Sequence, residues 1–166
     1  MNVPRVRLDK IDQRILYDLQ ANGRISNVEL ARRAGISAPP CLRRVRALER
    51  AGYVRGYHAE LEPKALGFNV TVFAYVGLAS QAESDLQAFE SLVATWPEVR
   101  ECYMLAGEVD FLLKIIAQDW DTYERFLTHR LTAAPNVLHV KSALSIRASK
   151  LEPGVPIFAN FEKDSR

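Results

Sequence analysis

The sequence predicts an α+β chain built in two parts. Between about Lys10 and Arg50, apolar residues recur at helical spacing in three short runs. Between Asn69 and Ile146, β-branched and aromatic runs alternate with two longer amphipathic stretches. Charge divides along the same line. Residues 1–60 carry twelve Lys+Arg against six Asp+Glu, and residues 61–166 carry ten against fourteen. A length of 166 residues fits one large domain or two small ones, and the charge split favours two with different partners.

In the first part, Ile11, Ile15, Leu16 and Leu19 form the stripe of a helix over about 10–21. Asp9 caps its start, and Asn22-Gly23 ends it because both residues tolerate positive φ. Ser26-Asn27-Val28-Glu29 reads as a capping box opening a second helix, with Val28, Leu30, Ala31 and Ala34 on the buried side. Gly35-Ile36-Ser37 makes a tight turn. Pro39 and Pro40 suit the first turn of a third helix, where N–H groups have no helical partner. Leu42, Val45 and Leu48 form its buried side and Gly52 ends it. Residues 53–61 alternate around Gly56 and read as a small β-ribbon or wing, and Pro63 and Gly67 punctuate a connector over 61–68.

In the second part, 69–78 reads as a strand. Ser80-Gln81-Ala82-Glu83 reads as a capping box opening a helix to about Thr95, stopped by Trp96-Pro97. Strands are expected over 99–105 and 110–117, joined by a tight connection at 106–109. A helix over 119–132 points Trp120, Tyr123, Phe126, Leu127 and Leu131 inward, and a last strand runs over 137–146. The order βαββαβ is the ferredoxin-like split unit over residues 69–150, followed by a tail at 151–166 that packs as an extended arm or frays. Both faces of its sheet are apolar. Val70, Val72, Ala74, Val76 and Leu78 oppose Phe73 and Tyr75, and Phe111, Leu113 and Ile115 oppose Leu112 and Ile116. Two helices cover one face only, so the other calls for a second subunit or the tail, with a homodimer expected.

The layout of the first part, two short helices around a tight turn with a basic second member, is that of a helix-turn-helix reading double-stranded DNA over residues 1–60. The start of the third helix, with Pro39 and Pro40, approaches the groove. Arg43 and Arg44 are the candidate guanine readers. Arg24, Arg32, Arg33, Arg46 and Arg50 are candidate phosphate clamps, and Ser26 and Ser37 stand at helix N-termini able to take a phosphate oxygen.

Other function classes find little support. Cys41 and Cys102 are too few for a disulfide framework, and no Cys/His cluster has metal spacing, so neither metal nor cofactor is expected. His58, His129 and His139 are scattered and no catalytic motif accompanies them, so no enzyme is expected. Arg5, Arg7, Asp9, Lys10 and Asp12 interrupt any apolar leader and no apolar run approaches the ~20 residues that span a bilayer, so a cytoplasmic protein is expected.

Several of these residues together resemble the Lrp/AsnC (feast/famine) family of transcription regulators. They are Leu8-Asp9-Lys10-Ile11-Asp12, Gly23-Arg24-Ile25-Ser26-Asn27, Pro40-Cys41-Leu42-Arg43-Arg44-Val45, Gly56-Tyr57, Pro63 and Leu66-Gly67. Glu101-Cys102-Tyr103, residues 107–113 from Gly107 to Leu113, and Tyr123-Glu124-Arg125-Phe126-Leu127 continue the likeness, which covers about 8–157. It implies a winged helix-turn-helix joined to a ferredoxin-like effector domain. It also implies dimers paired through the sheets, often assembled further into tetramers or octamers. A small effector, usually an amino acid, is held between effector domains of neighbouring dimers. The loop Met104, Leu105, Ala106, Gly107, Glu108, Val109 and Asp110 would line that site. Gly107 lets a ligand approach the backbone, free N–H groups suit a carboxylate, and Asp110 or Glu108 suits an α-amino group. The sequence departs from the family at Ala106, where a Thr or Ser hydroxyl is common, and at Ala143-Leu144-Ser145, which is small. Trp120 falls where relatives have residues that affect the response. The expected function is a sequence-specific regulator tuned by an amino acid or related metabolite. The alternative is a ligand-independent protein that compacts DNA.

Overall fold

The computed structural model describes residues 8–157, and these form two compact units, 8–60 with 150–157, and 61–149. Arg5, Arg7 and the end of the 151–166 tail lie outside the described residues.

The first unit holds three helices, α1 (Lys10–Ala21), α2 (Asn27–Arg33) and α3 (Ala38–Arg50). Asp9 begins α1 with a complete capping box. Its carboxylate accepts from Asp12 N at 2.8 Å, and Asp12 returns the bond to Asp9 N. Ser26 Oγ caps α2 by accepting from Glu29 N at 3.2 Å. The expected box there is only half made, because the Glu29 carboxylate is held by Arg32 and Arg33 instead. Ile15, Leu30, Ala31, Cys41, Val45 and Leu48 form the core. Two expectations for this core fail. Leu42 is 38% exposed and Val28 is 71% exposed. On α3 the buried face runs through Cys41, Val45 and Leu48, at i, i+4 and i+7, which turns Leu42 off to the flank. On α2, Val28 lies in the first turn, short of the layer that Leu30 and Ala31 close.

Neither Asn22 nor Gly23 takes positive φ as expected. The Tyr57 ring lies over Gly23, where a Cβ would stand 3.2 Å from Cδ1 and press on the ring. Residues 53–61 form no strand, contrary to the ribbon expected there. An isolated two-stranded ribbon this short has no sheet to lean on, and the segment is anchored by side chains. Tyr57 donates its hydroxyl to Glu49 at 2.9 Å. Burial, and then the Glu49 charge, push the phenol up to about 12. The C-terminal arm packs on α1. Gln20 donates to Val155 O at 2.8 Å and accepts from Val155 N at 2.9 Å, with Gly154 in the left-handed region directly against it.

The second unit is a four-stranded antiparallel sheet in the order β2-β3-β1-β4. The strands are β1 (Val70–Leu78), β2 (Val99–Met104), β3 (Phe111–Ala117) and β4 (Val137–Leu144). The helices are α4 (Glu83–Val93) and α5 (Trp120–Phe126), the latter continued by a turn of π-helix (Leu127–Leu131). One sheet face is closed. Val72, Ala74, Val76, Phe111, Leu113 and Ile115 pack there against Phe89, Val93, Trp96, Tyr123, Phe126 and Leu131. Tyr123 and Ser142 share a 2.5 Å hydrogen bond from α5 to β4 on the same side.

Ser80 does not cap α4 as expected. Ala82 takes the N-cap position with no side-chain bond, while the Ser80 hydroxyl donates to Asp85 at 2.5 Å. Its backbone is instead pinned in both directions by Asn136, whose φ is +67°. Trp120, expected inward, is 51% exposed because it opens α5 one turn before the buried Tyr123 and rests its ring on that tyrosine at 5.4 Å.

Candidate nucleic-acid interface and ligand loop

Two short helices, with Gly35 at φ +68° between them, seat α3 on α2. The Asn27 side chain fixes the join by donating to Ala38 O at 2.8 Å. Ser37 is the N-cap residue of α3 but its hydroxyl makes no cap bond. Pro39 is exposed in the first turn and Pro40 half-buried. With Cys41, Val45 and Leu48 fixing the inner side, a helix of 3.6 residues per turn sends Arg43, Arg46 and Arg50 to the opposite side. All three are exposed and none has an ion-pair partner among the described residues.

The other arginines expected at DNA are differently placed. Arg44 lies on the flank of α3, where one guanidinium nitrogen reaches Asp9 at 2.8 Å and Asp12 at 2.7 Å. Asp12 and then Asp9 raise the Arg44 pKa. The Asp12 backbone bond, helped by Arg44, holds the Asp9 carboxyl below its ordinary range. Arg32 and Arg33 both bind Glu29 at 2.7 Å, and Arg33 also reaches the buried Asp18 at 3.4 Å. Arg32, then Arg33, pull the Glu29 carboxyl down to about 2. Arg24 and Ser26 are exposed beside the start of α2. Sequence reasoning missed these acids as partners. The helical spacings of Arg14 with Asp18 and of Glu29 with Arg32 and Arg33 were the local signs of them, whereas Asp9 and Asp12 are distant in sequence from Arg44.

In the second unit, residues 105–110 join β2 to β3. Leu105 N donates to Asp110 O at 2.8 Å and closes the loop. Met104, Leu105, Ala106, Gly107 and Glu108 are exposed. A Cβ on Gly107 would meet nothing within 4 Å. The backbone N–H groups of residues 106–109 find no acceptor among the described residues. Asp110 is committed elsewhere. Its carboxylate accepts from Leu78 N at 2.7 Å and from Gln81 Nε2 at 2.8 Å, tying the loop to the end of β1 and the entry to α4. Gln81 had no signal in the sequence beyond its place before α4.

Residues 8–55 match the model of a winged helix-turn-helix DNA-binding domain, and residues 71–155 that of the Lrp/AsnC ligand binding domain. The chain belongs to the Lrp/AsnC family. A leucine-responsive regulatory protein of Rhizobium meliloti is 52% identical to it over 148 residues, spanning 89% of this chain and 95% of the relative. The Bkd operon transcriptional regulator of Pseudomonas aeruginosa is 37% identical, spanning 90% of this chain and 98% of the relative. A transcriptional regulator of Neisseria meningitidis, solved in complex with L-Met, matches with a TM-score of 0.86 at 37% identity, covering 90% of this chain and 97% of that one. This Lrp/AsnC chain is therefore a transcriptional regulator that joins a DNA-binding helix-turn-helix to a ligand-binding domain. Among its described residues, no helix is long and apolar enough to cross a membrane.

Proposed function

We propose that this Lrp/AsnC regulator binds specific double-stranded DNA sites as a homodimer or larger assembly, and that an amino acid tunes that binding. The observation carrying the DNA reading is the outward stripe of Arg43, Arg46 and Arg50 on a helix whose opposite side is locked into a core. Such a stripe presents guanidinium groups to phosphates and guanine edges together. The effector reading rests on the 105–110 loop. Its open N–H groups suit a ligand carboxylate, and the exposed Glu108, which has no partner among the described residues, suits an α-amino group. A related regulator solved with L-Met supports an amino acid as the ligand class. Assembly follows from the second sheet face, where Phe73, Tyr75, Leu112 and Ile116 stay half-buried with no helix over them.

The test is binding to DNA from upstream of the regulator's own gene against a shuffled duplex, at physiological salt, with a panel of amino acids that includes L-Met. Preference for the upstream duplex, shifted by one amino acid, is the expected result. Equal, weak and steeply salt-dependent binding to both duplexes would favour a compacting protein.

A further inference from the structure

Arg44 sits one residue from Arg43, yet the two guanidinium groups go to different places. Taking Cys41 as the centre of the buried face, a 3.6-residue turn puts Arg43 on the far side and Arg44 only about 60° from the centre. From that flank Arg44 reaches across to α1. It binds both carboxylates of the Asp9–Asp12 capping box while Asp9 accepts from Asp12 N and Asp12 accepts from Asp9 N. The Asp12 side chain is 14% exposed and that of Arg44 is 35% exposed. A cation committed to two acids, one of them half-buried, does not leave freely for a phosphate or a base.

We infer that Arg44 is a positioning residue: it sets the seat of α3 against the start of α1, and leaves base reading to Arg43. This inference rests on the DNA-binding reading proposed above. It assigns Asp9 and Asp12 a part in DNA recognition despite their charge. A carboxylate near DNA ordinarily repels it, so neutralising one should tighten binding. If Asp12 acts by holding Arg44, neutralising it loosens specific binding instead.

The experiment compares Arg44→Met, Asp12→Asn, the double variant and Arg43→Ala in the full chain. Each binds an operator duplex, a shuffled duplex, and operators carrying one 7-deazaguanine at a time. Asn at position 12 keeps one oxygen for the Asp9 N–H, so the helix cap survives. Arg44→Met and Asp12→Asn should each weaken operator binding roughly fivefold and lower Tm by about 4–8 °C. The double variant should be no worse than either single change. The slope of log affinity against log salt should stay at the wild-type value, because no phosphate contact is lost. Every guanine should keep its relative contribution in Arg44→Met, while Arg43→Ala erases one. Tighter binding by Asp12→Asn, or loss of one guanine's contribution in Arg44→Met, would overturn the inference. If the wild-type chain prefers no duplex, the specific-binding reading fails separately. The Tm cycle then decides whether Arg44 and Asp12 act as a pair, and additive Tm losses would sink the strut.

Discussion

Asp18 is the one buried charge among the described residues, 2% exposed on the inner side of α1. Arg14 approaches it at 2.8 Å and Arg33 at 3.4 Å, each with part of its side chain in water. A carboxylate taken out of solvent is tolerable only while such cations remain. Replacing Arg14 and Arg33 together with Ala should therefore cost on the order of 3 kcal/mol in urea unfolding. Arg32→Ala, which touches only the outer Glu29, should cost less than about 1 kcal/mol. A second residue-scale expectation concerns acid. In the folded chain Arg32 and Arg33 hold the Glu29 carboxyl at about 2, below its ordinary 4.5. A depressed folded pKa means stability that is complete above about 4.5 and lost as pH falls towards about 2. Glu29→Gln should flatten that part of the acid unfolding curve, and an unchanged acid limb would show that the pairs with Arg32 and Arg33 do not stabilise the fold.

At the scale of elements, Asp110 shapes the 105–110 loop that is proposed to hold the effector. Asp110 holds Leu78 N and Gln81, so it fixes the loop's exit. Asp110→Ala should lower stability by about 1–3 kcal/mol and also abolish the effector response, because it leaves two donors unpaired and frees the loop. Glu108→Gln should weaken effector binding while leaving Tm unchanged. Calorimetry with L-Met and differential scanning separate the two. Periodicity made α1, α3, α4, β1 and β3 readable, because a core face repeats along each of them, while β2 and β4 were read from their place between turn signals. The errors fell where one side chain decides. Cys41 replaced Leu42 at the α3 core since a one-residue turn about the helix is invisible when both are apolar. Trp120 looked like core, yet it opens α5 ahead of the buried layer. Ser80 carried a capping signature, but Asn136, distant in sequence, captured its backbone. The connection between β2 and β3 was legible as a tight loop. The division of labour between Asp110 and Glu108, and the acids that occupy Arg44, depend on contacts 29 to 35 residues apart in sequence and so left no local pattern.

At the scale of the whole molecule, the chain passes from the DNA-binding unit into the ligand-binding unit and returns, since residues 150–157 pack with the first unit. The second sheet face is the surface proposed above for assembly. Leu112 and Tyr75 are cross-strand partners at its centre, and Leu112 is flanked by Tyr103 on β2. A lysine there would share the face with Glu101, Lys114 and Lys141 and would be taken out of water by a partner sheet. Leu112→Lys should shift the chain from dimer or larger to monomer in sedimentation, and should weaken operator binding more than binding to a single half-site, because two recognition helices no longer act together. A persisting dimer would place the interface elsewhere.

The most direct measurement is selection of bound duplexes from a random-sequence DNA pool by the full chain at physiological salt. A specific dimeric reader enriches an imperfect palindrome with half-sites about one helical turn apart, or a multiple of it, and Arg43→Ala loses the enrichment. A pool that stays unenriched after repeated rounds, with binding still strong and steeply salt-dependent, would contradict sequence-specific recognition by α3.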